Sequence, residues 1–147
     1  MHNNRYTIIF TTLITMVLAF VLSSVYSSLE EITEANVRAD IKKNILTSLG
    51  FEPSVEIPWS RENVETIFSE SVESFVVDDL GNVISDKLPE DIDPKLNMNL
   101  FPLYRKVVNG AIEGYAIPIS GKGLWGTMYG YFSIEPDGET AKGITFY

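Results

Sequence analysis

The 147 residues carry 11 lysines and arginines against 20 acids, a net charge of −9, and no cysteine. That balance excludes disulfide frameworks, thiolate metal sites and cysteine nucleophiles, and it argues against nucleic acid or an anionic lipid surface as partner. His2 is the one histidine and precedes the first apolar segment, so the remainder can build neither a histidine-based triad nor a histidine zinc site.

Tyr6 to Tyr26, YTIIFTTLITMVLAFVLSSVY, is 21 residues without a charge. About 20 apolar residues at 1.5 Å each cross the hydrocarbon core of a bilayer. Its threonines and serines can return their hydroxyls to carbonyls of the preceding turn. A signal peptide has an apolar region of about 7–15 residues; this run is longer, and Ser23, Ser24 and Ser27 imitate a cleavage site only weakly. The reading is an uncleaved anchor over 6–26 behind a tail of residues 1–5. Charge bias alone decides little about orientation; the reading adopted puts the tail in the cytoplasm and the bulk outside.

Val37, Ile41, Ile45 and Leu49 then recur every fourth residue, with Ile32 and Leu46 alongside, and Gly50 follows where a left-handed cap belongs. A stalk helix is expected over 27–52. Ser60 can cap a second short helix, with Glu62 in its first turn and Val64, Ile67 and Phe68 on one side. From Ser74 the period falls to two. SFVVDDLGNVIS predicts strand, turn at Asp79–Asn82, and strand; Leu88 to Asn99 is a loop. Leu100–Val108 and Ala111–Ile119 flank Asn109-Gly110, the strongest short hairpin signal, and Thr127–Ile134 and Thr140–Tyr147 flank Pro136-Asp137-Gly138. Helices first and an antiparallel meander after make an α+β fold.

Most catalytic patterns fail. Asp91, Asp93, Asn97 and Asn99 imitate a calcium loop but put Leu96 where glycine is required. Gly121-Lys122-Gly123 would need glycine at Ala116 and a hydroxyl at Gly123 to be a phosphate loop. Asp78 and Asp79 are turn formers. Between Pro53 and Leu100 stand 11 acids and 3 bases, read as a solvated face. What stands out is SGKGLWGTMYGYF, Ser120 to Phe132. Gly121, Gly123 and Gly126 permit positive φ and close approach to the backbone, while Leu124 and Trp125 offer an apolar edge and a flat aromatic face. These suit a stacked planar ring. Local composition by itself favours an ordinary glycine loop, with Trp125 tucked against Met128, Phe132 and Ile134.

PISGKGLWGTMYGYFSIEPDGETAKGITFY, Pro118 to Tyr147, resembles the FMN-binding domain of the C subunit of the bacterial sodium-translocating NADH:quinone oxidoreductase. Ile41-Lys42-Lys43-Asn44-Ile45-Leu46 is similar to that family's K-x-N-I-L region. The resemblance implies a domain over 53–147, with Gly121, Gly123, Leu124 and Trp125 on one wall of an FMN site. It also implies electron transfer within a complex of other membrane subunits, on the outer side of the bacterial cytoplasmic membrane. In the family, FMN is carried through a phosphoester on the last threonine of an S-G-A-T-x-T motif, attached by a flavin transferase. No such motif occurs in residues 1–147, so the expectation is a domain incomplete at its carboxyl end, with an unfilled sheet edge, an exposed apolar face and no covalent flavin. The G subunit of the related Rnf electron-transport complex and an extracytoplasmic Cache-like sensor are the alternatives.

Overall fold

The computed structural model describes residues 4–92 and 96–147; His2 and Asp93, singled out above, lie outside the described residues. By its contacts the chain divides into two units, 1–38 and 39–147. The first helix, α1 (Asn4–Ser48), is continuous.

In the first unit α1 is long and apolar enough to cross a membrane, and its apolar side chains are exposed. Its hydroxyls behave as the sequence suggested. Thr11, Thr15, Ser24 and Ser28 each donate to the carbonyl four residues earlier, at 2.8–2.9 Å, which removes the cost of bare polar groups in an apolar medium.

The second unit begins with the last turns of α1. Gly50 takes φ +79°, and the Phe51 amide donates to the Leu46 carbonyl while the Gly50 amide donates to Thr47. That pairing is the Schellman cap. The helix therefore stops at Ser48 rather than running to residue 52. Ile45, Leu46 and Leu49 are buried in the core of the second unit, while Ile32 and Val37, in the first, are 55% and 52% exposed. Helix α2 (Arg61–Ser71) starts as expected, with Ser60 accepting the Asn63 amide at 3.2 Å, and it buries Val64 and Phe68.

Among the described residues six antiparallel strands follow: β1 (Val72–Asp78), β2 (Val83–Ile84), β3 (Leu100–Val108), β4 (Ala111–Lys122), β5 (Thr127–Ile134) and β6 (Ala141–Phe146). They lie in the order β2-β1-β3-β4-β5-β6. Each turn has its chemical reason. Asp78 accepts the amides of Leu80 and Asn82, and Gly81 takes φ +84°; Asn109 and Gly110 take φ +51° and +78°, as a type I′ turn requires. Asp137 accepts from Glu139 and Thr140 and closes the last hairpin.

One face of the sheet receives the end of α1 and α2. Tyr104, Ala116, Ser133 and Gly143 stand opposite one another on that face. Across the three middle and edge strands the row shrinks to small side chains, so the helix can come close. The Ser133 hydroxyl donates to Ser48 Oγ at 2.7 Å, Ser48 donates to the Ile45 carbonyl, and Thr145 donates to the Asn44 carbonyl at 3.1 Å. A Cβ at Gly143 would overlap the Ser48 carbonyl oxygen.

Candidate functional site

The β4–β5 hairpin carries the sequence motif. Its ladder runs to Lys122 opposite Thr127, with Gly121 opposite Met128. The Gly123 amide then donates to the Gly126 carbonyl at 2.8 Å, closing a loop of Gly123, Leu124, Trp125 and Gly126. None of Gly121, Gly123 and Gly126 uses the positive φ that glycine permits. Gly121 is simply strand, and the loop closes without left-handed backbone. Only Gly123 is sterically confined: a Cβ there would lie 2.8 Å from Met128 Cγ and 2.9 Å from the Gly126 carbonyl. At Gly121 and Gly126 a Cβ would meet nothing within 4 Å.

Trp125 is 96% exposed and Leu124 89%. The bland alternative, a tryptophan packed on Met128, Phe132 and Ile134, is therefore incorrect: the hairpin tip runs past the end of the packed sheet. The loop brings Gly121, Gly123, Leu124 and Trp125 together by chain adjacency, on one hairpin.

A second aromatic group was not singled out from the sequence. Tyr104 and Tyr131 meet edge to face at 5.7 Å, Tyr131 stacks with Tyr147 at 6.2 Å, and Tyr147 reaches Tyr129 at 6.3 Å. The repeat Tyr129-Gly130-Tyr131 at strand period was the available signal, since i and i+2 share a face. Burial pushes the Tyr104 phenol up to about 12, only partly countered by its hydrogen bond with Tyr131, and burial pushes Tyr131 up as well. A raised phenol stays neutral in the fold while the unfolded chain ionises near 10. The stabilisation is thus whole below pH about 10 and is lost as pH climbs through about 12. Alkaline titration followed by circular dichroism should show cooperative unfolding in that window. Tyr104→Phe should move it to higher pH; an unmoved transition would show that Tyr104 does not set it.

No family model matches the chain. A relative from Pasteurella multocida, the C subunit of its Na(+)-translocating NADH-quinone reductase, is 50% identical over 38 residues, 26% of this chain and 15% of the relative. Its counterpart in Haemophilus ducreyi is 27% identical over 130 residues, 74% of this chain and 48% of the relative. The crystal structure of the same protein, NqrC, from Parabacteroides distasonis superposes with a TM-score of 0.66 at 26% identity, over 81% of this chain and 57% of that one. The chain resembles NqrC. It spans about half the length of the Haemophilus ducreyi relative. A second NqrC structure, from Shewanella oneidensis, shares the fold at 23% identity and a TM-score of 0.62, over 75% of this chain and 58% of that one. Of the readings the sequence opened, NqrC is the one these likenesses support, with its apolar helix and six-stranded antiparallel sheet.

Proposed function

We propose that the chain is a membrane-anchored, FMN-binding electron-transfer subunit of a sodium-translocating NADH:quinone reductase. The observation that carries this is Trp125, bare at the tip of the β4–β5 hairpin on a fold shared with NqrC. An aromatic face left in water gains nothing for folding. Its ring and the open space at Gly121 and Gly126 fit a planar group laid against the loop. Gly121, Gly123, Leu124 and Trp125 would form one wall; bound there, FMN supplies one- and two-electron chemistry. The hairpin's part is to present the indole at a fixed height and to shield one side of the ring from water.

Residues 1–5 are a cytoplasmic tail, 6–26 the membrane span, 27–52 the stalk and 53–147 the outer domain in this reading, with the other membrane subunits as partners. A flavin transferase enters for a chain that carries the acceptor threonine motif, which residues 1–147 lack. Alkaline washing of membranes should leave the protein at its full 16.5 kDa in the pellet. A soluble form starting near Ser27 would instead mark the first segment as a signal peptide.

The flavin reading is tested by titrating the purified chain into FMN and following flavin fluorescence, a signal that the tryptophan variants retain, with tryptophan emission as a second readout in the unmodified chain. Binding should be weak and should quench Trp125. Stacking contributes about 0.5–1.5 kcal/mol, so Trp125→Ala should weaken the apparent Kd by roughly 2- to 13-fold, while Trp125→Phe retains most of it. Equal binding by all three proteins would remove the hairpin from the site.

A further inference from the structure

Asn109 and Gly110 are the two loop residues of the β3–β4 hairpin; the ladder ends at the Val108–Ala111 pair, and neither belongs to it. Among the described residues Asn109 is the one non-glycine with positive φ, +51°. Asparagine tolerates this left-handed region better than most side chains, and a type I′ turn requires it at both loop positions. The glycine that follows has a second consequence. A Cβ at Gly110 would meet nothing within 4 Å. With no Cβ present, nothing on residue 110 itself shields its amide nitrogen from the carboxamide of the residue before.

The other asparagines lack this combination. Asn109-Gly110 is the one Asn-Gly pair in the sequence, and every other asparagine precedes a residue with a side chain. Three of the others also have their amide nitrogen in use. Asn44 Nδ2 donates to the Asp40 carbonyl at 2.9 Å, Asn63 Nδ2 to the Pro58 carbonyl at 2.7 Å, and Asn82 Nδ2 to Asp78 Oδ2 at 2.9 Å. The Asn109 side chain has no bond of this kind among the described residues. Asp137-Gly138, the corresponding acid pair, is tied down too, its carboxylate accepting from Glu139 and Thr140.

We propose that Asn109 is a site of spontaneous deamidation through a cyclic imide. The Gly110 amide gives its proton to hydroxide, and its nitrogen attacks the side-chain carbonyl carbon of Asn109. A C–N bond closes the ring while the carboxamide nitrogen leaves as ammonia. Water then opens the imide. Breaking the bond at the side-chain carbonyl leaves aspartate in a normal chain; breaking it at the main-chain carbonyl leaves isoaspartate, with the chain rerouted through the side chain. The sum is one water in and one ammonia out, with no change of oxidation state. The attack is intramolecular, so no second molecule takes part until water opens the ring. Isoaspartate adds a methylene to the backbone of a two-residue loop whose twist matches its strands only at the native length, so the Val108–Ala111 pair should open. The inference is independent of the flavin reading, because this turn and the Gly123–Gly126 loop lie at opposite ends of β4.

The test is to hold the full chain, folded in membranes, in warm and mildly alkaline buffer for several days and then cut it with trypsin. The peptide Val107–Lys122 contains Asn109 as its one asparagine. It should gain the mass of an amide turned to an acid and separate chromatographically into aspartyl and isoaspartyl forms, the second in excess. Its rate should rise in proportion to hydroxide, while the peptides bearing Asn44, Asn63 and Asn82 keep their amides. Gly110→Asp restores a Cβ beside the attacking nitrogen with a residue that tolerates positive φ, and it should slow the conversion of Asn109 several-fold. Hydrogen exchange in the aged, unmodified sequence should speed up at the Val108–Ala111 end of the hairpin. If Asn109 keeps its amide in the folded chain but loses it in urea, the turn protects the pair and the proposal is wrong. Equal conversion of Asn44, Asn63 or Asn82, or an unslowed Gly110→Asp chain, would overturn it as well.

Discussion

Leu46→Ala should lower the stability of Ala39–Tyr147 by about 2–5 kcal/mol, the range for emptying a fully buried leucine site. Leu46 is 0% exposed and sits in one cluster with Ile45, Leu49, Val64, Phe68, Val72, Ala116 and Tyr131. Its neighbours come from two helices and three strands, so no single element can relax into the cavity. Urea unfolding should show a lower midpoint at unchanged slope. Val37→Ala, on the same helix but 52% exposed, should stay within about 0.5 kcal/mol. Comparable losses for the two would mean that the end of α1 is not the core element described.

Gly143→Ala should be the second severe change, because a backbone group rather than a side chain blocks the new methyl. The Cβ would overlap the Ser48 carbonyl oxygen, and no rotamer change moves that atom. The helix end must lift from β6, stretching the Ser133–Ser48 and Thr145–Asn44 hydrogen bonds together. Overpacking of this kind costs about 1–3 kcal/mol or more. Hydrogen exchange should speed up in both β6 and the last turn of α1, while the Asn109-Gly110 hairpin keeps its protection. Unchanged exchange at the helix end would show that the contact has slack. Ile144→Ala, next in the chain but 53% exposed, should have much the smaller effect.

Local chemistry was legible. Gly50, Ser60 and Asn109-Gly110 do in the fold what their residue types demand, because caps and tight turns depend on a few neighbouring atoms. Strand alternation was legible too, but not which side the helices choose. Tyr131 and Ser133 alternate with Phe132 and Ile134, and on hydrophobicity the second pair should be the buried one. Size decides instead: the helix approaches over Ala116, Ser133 and Gly143, where its backbone can come closest. The stripe through Ile32 and Val37 gave no sign of stopping, since a repeating pattern does not record where its partner surface begins. At the hairpin, the sequence marked the loop containing Gly123, Leu124 and Trp125, but glycine's freedom of φ did not tell that the loop would close without left-handed backbone. The sequence left Trp125 between core and surface, which depends on how far β4 and β5 run beyond the packed sheet.

The clasp between the end of α1 and the last two strands also sets an order of events in time. Ser133 reaches Ser48 across 85 positions and Thr145 reaches Asn44 across 101. Contacts so distant close late, because the entropy of the loop is lost before they return any energy. On the ribosome, at about 5–20 residues per second, Ile45 and Leu46 precede their partner strands by roughly 5–20 s. Through that interval the helix end is an apolar surface without its sheet, open to holding chaperones and to other nascent chains. A delay in translation downstream of Ser48 would lengthen this exposure without altering a single residue of the finished protein.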